Sequence, residues 1–146
     1  RLYKEIYDLN HVIFRFFNIY GPYQTNGIIP SFHKKLINNE PITVFGKGKQ
    51  IRDFVFIRDV IPFFDSVITS SKFDNQTYNL GTGNGTTIME VIEKFSKLLS
   101  VKPKIDFQPE RPGEIGNFVA NTNFLLSEFG FKPETSVEDG LKDTIS

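Results

Sequence analysis

An α/β fold with a parallel component is what this 146-residue sequence predicts. Three observations carry that expectation. Apolar runs of strand length alternate with amphipathic helical stretches, as in sheets whose parallel strands are joined by helices. Two of the strands, ending near Phe17 and Leu80, run directly into glycine turns, an arrangement that puts ligands at the carboxyl ends of a sheet. One hairpin, residues 41–45 and 51–56 around Gly46-Lys47-Gly48-Lys49, interrupts the alternation.

The chain opens on Arg1 inside a helical stretch, residues 1–8, so the expectation is a fragment whose upstream part is missing. Residues 11–17 form an apolar run broken only by Arg15 and read as a buried strand. Asn18-Ile19-Tyr20-Gly21-Pro22 ends it. Residues 28–38 have helical spacing, with Pro30 in the first turn, where a missing N–H is harmless. The hairpin follows. Asp59 is the expected N-cap of a helix to about Ser70, with Pro62 in its first turn and Val60, Phe63, Phe64, Val67 and Ile68 on its apolar face.

A short strand at 77–80 meets Gly81-Thr82-Gly83-Asn84-Gly85. Thr87 and Glu90 form a capping-box pair for a helix to about Leu99, whose stripe is Ile88, Val91, Ile92, Phe95, Leu98 and Leu99. Residues 104–107 make a further strand, and 109–114 a charged loop. Asn121 is expected to cap a short helix to about Phe129. Ser136 with Asp139 opens a last helix that carries on past Ser146.

Composition removes several functions. Lys plus Arg and Asp plus Glu number 17 each, so no basic excess marks a nucleic-acid footprint. No apolar run approaches the roughly 20 residues of a membrane span. Zero Cys excludes disulfides and thiolate metal sites, and with no secretory pattern at the start it fits a cytoplasmic setting. The 16 Phe, at strand and helix spacings, are core residues.

Arg52 is the most informative side chain. It is a guanidinium among apolar strand residues, costly to bury without an anion and well shaped for phosphate. Adjacent strand residues face opposite ways, so Arg52 should not pair with Asp53. Arg111, in a loop pinned by Pro109 and Pro112, is the expected second arm of a diphosphate clamp. Glu114 is a natural acceptor for sugar hydroxyls. Gly81–Gly85 has the order Gly-x-Gly-x-Gly, without the spacing or following acidic residue of a dinucleotide loop, and reads as a tight strand-to-helix turn. His11 and His33 have no companions for a metal site or a triad. From the residues alone, this is a binding half with no visible catalytic group.

Several stretches resemble the extended short-chain dehydrogenases/reductases, the family of NAD-dependent nucleotide-sugar epimerases and dehydratases. They are Phe16-Phe17-Asn18-Ile19-Tyr20-Gly21-Pro22, Phe45-Gly46-Lys47-Gly48 through Gln50-Ile51-Arg52-Asp53-Phe54-Val55-Phe56-Ile57, Tyr78-Asn79-Leu80-Gly81-Thr82-Gly83 and Arg111-Pro112-Gly113-Glu114. The resemblance covers the carboxyl-terminal half. It implies that residues 1–146 are the last strands of a Rossmann-like parallel sheet, near 11–17 and 76–80, plus a small α/β substrate-binding subdomain. The glycine-rich NAD loop and the catalytic Tyr-x-x-x-Lys belong to the other half; neither occurs here, and Tyr3 and Tyr7 lack the lysine.

The resemblance further implies roles. Phe17 lies beside the nicotinamide of NAD, Asn18 touches the diphosphate, Arg52 and Arg111 bind the phosphates, and Glu114 contacts the ribose. Ile28, Thr43 and Phe45 surround the base, with Phe54 following the strand arginine. Arg58 stands where a small or apolar residue is usual. The implied activity is hydride transfer at the hexose C4 of a UDP- or dTDP-hexose, in a full-length homodimer that binds NAD mainly through its other half. An epimerase like UDP-glucose 4-epimerase is the first reading. A dTDP-sugar dehydratase, or a truncated module that binds nucleotide without chemistry, is the alternative.

Overall fold

The computed structural model describes residues 2–70 and 74–145; the expected helix start at Arg1 and the continuation past Ser146 lie outside them. Local signals produce helices largely where expected. In α4 (Ile88–Leu99) the Thr87 hydroxyl accepts from Glu90 N while the Glu90 carboxylate accepts from Thr87 N, the reciprocal capping box. In α6 (Val137–Ile145) Ser136 Oγ accepts from Asp139 N at 3.1 Å. Helix α2 (Ile28–Ile37) buries Ile29, Phe32 and Leu36 on one face. Helix α1 (Leu2–Tyr7) buries nothing.

Three expectations about helix starts shift. Helix α3 (Ile57–Ser70) begins two residues before Asp59, because β5 (Phe54–Phe56) runs straight into it. Asp59 therefore does not cap it. Its carboxylate instead accepts from Thr135 N and Thr135 Oγ1, at 3.1 and 2.7 Å, far along the chain. Pro62 lies inside α3 rather than in its first turn. Ahead of α5 (Asn123–Phe129), Thr122 is the N-cap without a side-chain bond, and Asn121 acts one residue early by accepting from Asn123 N.

Sheet pairing is mostly parallel. Strand β1 (Ile13–Phe16) pairs parallel with β6 (Thr77–Leu80), and β2 (Asn18–Tyr20) with β5. The segment read as a chain breaker is thus a second strand, which changes partner after Phe17 donates its N–H to Leu80 O. Strand β1 is not buried as expected: with β6 as its one partner strand among the described residues, Ile13 and Phe16 stay exposed.

The hairpin does not form. Strand β3 (Ile42–Phe45) pairs parallel with β8 (Ile105–Gln108), whereas β4 (Ile51–Arg52) pairs antiparallel with β7 (Thr86–Thr87) and parallel with β9 (Asn117–Phe118). The expected strand 51–56 is also split at Asp53 between β4 and β5. Glycines at 46 and 48, with φ of 60° and 67°, turn the chain away from β3 instead of back along it.

The buried apolar residues form two clusters. One joins α2, β3, β5, α4 and α6 through Phe32, Ile42, Val44, Phe56, Ile92, Phe95 and Leu141. The other joins α3, β6 and α5 through Val60, Phe63, Val67, Tyr78 and Leu125. Ile57 packs against both. Arg58 pairs with Asp143 at 2.5 Å, its guanidinium carbon 5.7 Å from the Phe56 ring centre.

Candidate nucleotide-sugar site

Strand alternation explains the first wall of the site. Along β3, Ile42 and Val44 are buried in the core, so Thr43 and Phe45 point the other way. They line a cavity of about 290 Å³ with Ile28, Gln50, Arg111 and Glu114. The Arg111 guanidinium carbon lies 3.6 Å from the centre of the Phe45 ring, a cation–π contact that orders a residue on an otherwise exposed loop. Gln50 holds the turn by donating its side-chain amide to Phe45 O at 2.7 Å.

Arg52 reaches the same wall from β4. Its Nη2 donates to Glu114 Oε1 at 3.2 Å, and its Nη1 donates to Ile115 O at 2.8 Å and to Ile51 O at 2.9 Å. Its side chain is 15% accessible. The anion this guanidinium needs is therefore Glu114, and the carboxylate expected to receive sugar hydroxyls is held by Arg52. Arg52 makes no bond to Asp53, in keeping with opposite strand faces.

A second cavity, about 170 Å³, is lined by Phe17, Asn18, Gln24, Ile28 and Phe54 and adjoins the first along Gly27 and Ile28. Asn18 Nδ2 donates to Asp53 O at 2.9 Å, which fixes the amide at the start of β2. Phe17 stacks on Phe118, with ring centres 4.5 Å apart. On the other side of the first cavity, a charged recess of about 220 Å³ brings Lys47, Lys49 and Glu110 beside Arg111 and Glu114. The structure thus gathers Ile28, Thr43, Phe45, Arg111 and Glu114 on one cavity, and Phe17, Asn18, Ile28 and Phe54 on the next. Arg52 joins them through Glu114.

Asp53 is the residue that sequence reasoning passed over. It is fully buried. Its Oδ1 accepts from Thr82 Oγ1 at 2.6 Å and Thr82 N at 2.9 Å; its Oδ2 accepts from Gly83 N at 2.9 Å and Ala120 N at 3.2 Å. The glycine turn at 81–83 is an anion cradle occupied by the chain's own carboxylate. An acidic residue inside an apolar run, with a Gly-Thr-Gly turn elsewhere, was the available signal. The cradle fixes β4, and hence Arg52, against the carboxyl end of β6.

Burial pushes the pKa of the Tyr20 phenol well above its ordinary value, helped by the carboxylates of Asp59, Asp139 and Asp143. His33 stacks on Phe95, with ring centres 6.0 Å apart. Among the described residues, no three His, Asp or Glu side chains stand together as metal ligands, and no helix is long and apolar enough to cross a membrane.

The sequence model described as the NAD dependent epimerase/dehydratase family matches residues 1–81. The chain belongs to this family. As an epimerase/dehydratase chain it is 29% identical over 148 residues to an uncharacterised UDP-glucose epimerase of Bacillus subtilis, covering 99% of this chain and 46% of that protein. It is 27% identical over 154 residues to dTDP-glucose 4,6-dehydratase of Salmonella typhimurium, covering 99% of this chain and 42% of that one. Among solved structures it is similar to UDP-glucuronic acid 4-epimerase from Bacillus cereus in complex with UDP-glucuronic acid and NAD, with a TM-score of 0.89, 26% identity, and coverage of 98% and 46%. The chain spans about half the length of these relatives.

Proposed function

We propose that this chain holds the nucleotide sugar in an NAD-dependent nucleotide-sugar 4-epimerase. One observation carries the reading: Arg111 on Phe45 and Glu114 line one cavity with Ile28 and Thr43, and Arg52 stands behind it as the ion-pair partner of Glu114. Two guanidiniums, a flat ring and a carboxylate side by side suit a diphosphate joined to a nucleoside. A guanidinium has five N–H donors, so Arg52 can keep its carbonyl contacts and still donate to a phosphate oxygen. Glu114 is then released toward the ribose hydroxyls. Asn18, lining the adjoining cavity, supplies a neutral amide for the same diphosphate.

NAD fits these residues at its nicotinamide end alone. Phe17 offers an aromatic edge beside Asn18, whereas the 81–83 cradle already holds Asp53 and leaves no room for a pyrophosphate. Held at its nicotinamide end by Phe17 and Asn18, NAD would supply hydride acceptance and return at the hexose C4. The residues described here bind and orient the sugar, which is the proximity contribution to the rate.

Calorimetric titration of the protein with UDP and dTDP tests the reading. Charge-assisted contacts are worth about 1.5–3 kcal/mol each, so Arg52→Ala and Arg111→Ala should each weaken binding by roughly ten- to hundredfold. Unchanged affinity in both variants refutes the clamp. The 27% identity to a dTDP-glucose 4,6-dehydratase favours one second reading, a dTDP-sugar dehydratase. Tighter binding of dTDP than UDP, with loss of water from dTDP-glucose on turnover, would select it.

A further inference from the structure

Tyr23 is the most exposed aromatic residue among the described residues, with 100% of its surface accessible. Its φ of 65° lies in the left-handed region, where a bulky side chain is an outlier. A phenol ring in water and a strained backbone are both unfavourable, and no packing among the described residues offsets them. Outliers of this kind collect at ligand sites.

Its position says which ligand. Residues 21–27 join β2, which starts at Asn18, to α2, which starts at Ile28. Tyr23 borders an open recess of about 330 Å³ together with Ile19, Tyr20, Pro22, Gln24 and Ile57. That recess shares Ile19, Tyr20 and Gln24 with the cavity of Phe17 and Asn18, and shares none of its lining with the cavity of Thr43, Phe45 and Arg111. Tyr23 therefore stands at the end of the site away from the nucleoside, where the sugar of a nucleotide sugar would lie. A pyranose has a face of C–H bonds and a rim of hydroxyls. A tyrosine matches both, and its two side-chain torsions make it inexpensive to order.

We propose that Tyr23 is a specificity-determining residue for the hexose, its ring covering the C–H face of the sugar. The proposal rests on the nucleotide-sugar reading above. Relief of strain makes glycine the informative substitution: Tyr23→Gly removes the ring and tolerates positive φ, while Tyr23→Phe keeps the ring. Calorimetry with UDP, UDP-glucose, dTDP and dTDP-glucose separates the hexose contribution from that of the nucleotide. In Tyr23→Gly the affinity for each free nucleotide should stay within about twofold of the parent, and the hexose-to-nucleotide affinity ratio should fall about three- to tenfold, the range an aromatic contact supplies. Tyr23→Phe should restore most of that ratio. A ratio unchanged in Tyr23→Gly overturns the proposal while leaving the nucleotide site intact. Failure of the parent protein to bind either nucleotide overturns the nucleotide-sugar reading and this proposal with it.

Discussion

Asp53→Asn is the perturbation whose cost follows most directly from the geometry. The carboxylate is fully buried and faces donors only: Thr82 N, Thr82 Oγ1, Gly83 N and Ala120 N. An asparagine must place its NH2 against one of these groups. If the NH2 replaces Oδ2, Gly83 N and Ala120 N both lose their acceptor, at about 1–3 kcal/mol for each buried unsatisfied donor. If it replaces Oδ1, the Thr82 hydroxyl can rotate to accept, and Thr82 N keeps a 3.1 Å contact to Oδ2. The second arrangement is cheaper, so the expected loss is about 2–4 kcal/mol, from one strained amide and the lost charge. Asp53→Ala strands three backbone donors and should cost about 3–9 kcal/mol, enough to unfold a domain of ordinary stability. Urea denaturation reads the difference. With a slope near 2 kcal/mol per molar, Asp53→Asn should lower the midpoint by about 1–2 M at unchanged slope. A midpoint within about 0.3 M of the parent would refute the cradle as a stabilising feature.

Two further outcomes follow from other elements. Gly140 lies in α6 where a Cβ would sit 2.8 Å from Tyr20 Cζ and 3.1 Å from Phe56 Cδ2; Gly140→Ala should therefore destabilise by about 1–3 kcal/mol through overpacking, against the roughly 1 kcal/mol that helix propensity favours, and a stabilised variant in thermal unfolding would contradict this. Glu90 has its carboxyl held below the usual range by the Thr87 backbone N–H first and the Thr87 hydroxyl second. A depressed folded value stabilises above the unfolded value of about 4.3 and is lost as pH falls through the folded one; the stability gap between parent and Glu90→Gln at pH 7 should thus close below about pH 4, and a gap that stays constant down to pH 3 would count against it.

Arg52, Arg111 and Glu114 could be named from residue type and loop chemistry, yet nothing in their spacing showed that Glu114 would be the anion of Arg52. Thr43 and Phe45 were singled out by the family resemblance alone; the burial of Ile42 and Val44 is what turns them toward the cavity. Nothing in the sequence singled out Tyr23. Its exposure and left-handed backbone are properties of the folded loop.

By itself the sequence determined the elements whose forces act within a few residues. The Thr87–Glu90 capping box, the Ser136–Asp139 cap, the buried stripe of α2 and the α/β alternation all arise from bonds and periodicities that span one or two turns. Only the tertiary structure decided where Ile51 and Arg52 pair, why Asp59 serves Thr135 rather than its own helix, and that the glycine turn after β6 encloses Asp53. In each of those cases the competing partners lie tens of residues apart. Strand edges, carboxylates and backbone donors carry no sequence mark of the distant group that will satisfy them, so burial and hydrogen-bond completion make the choice when the chain packs.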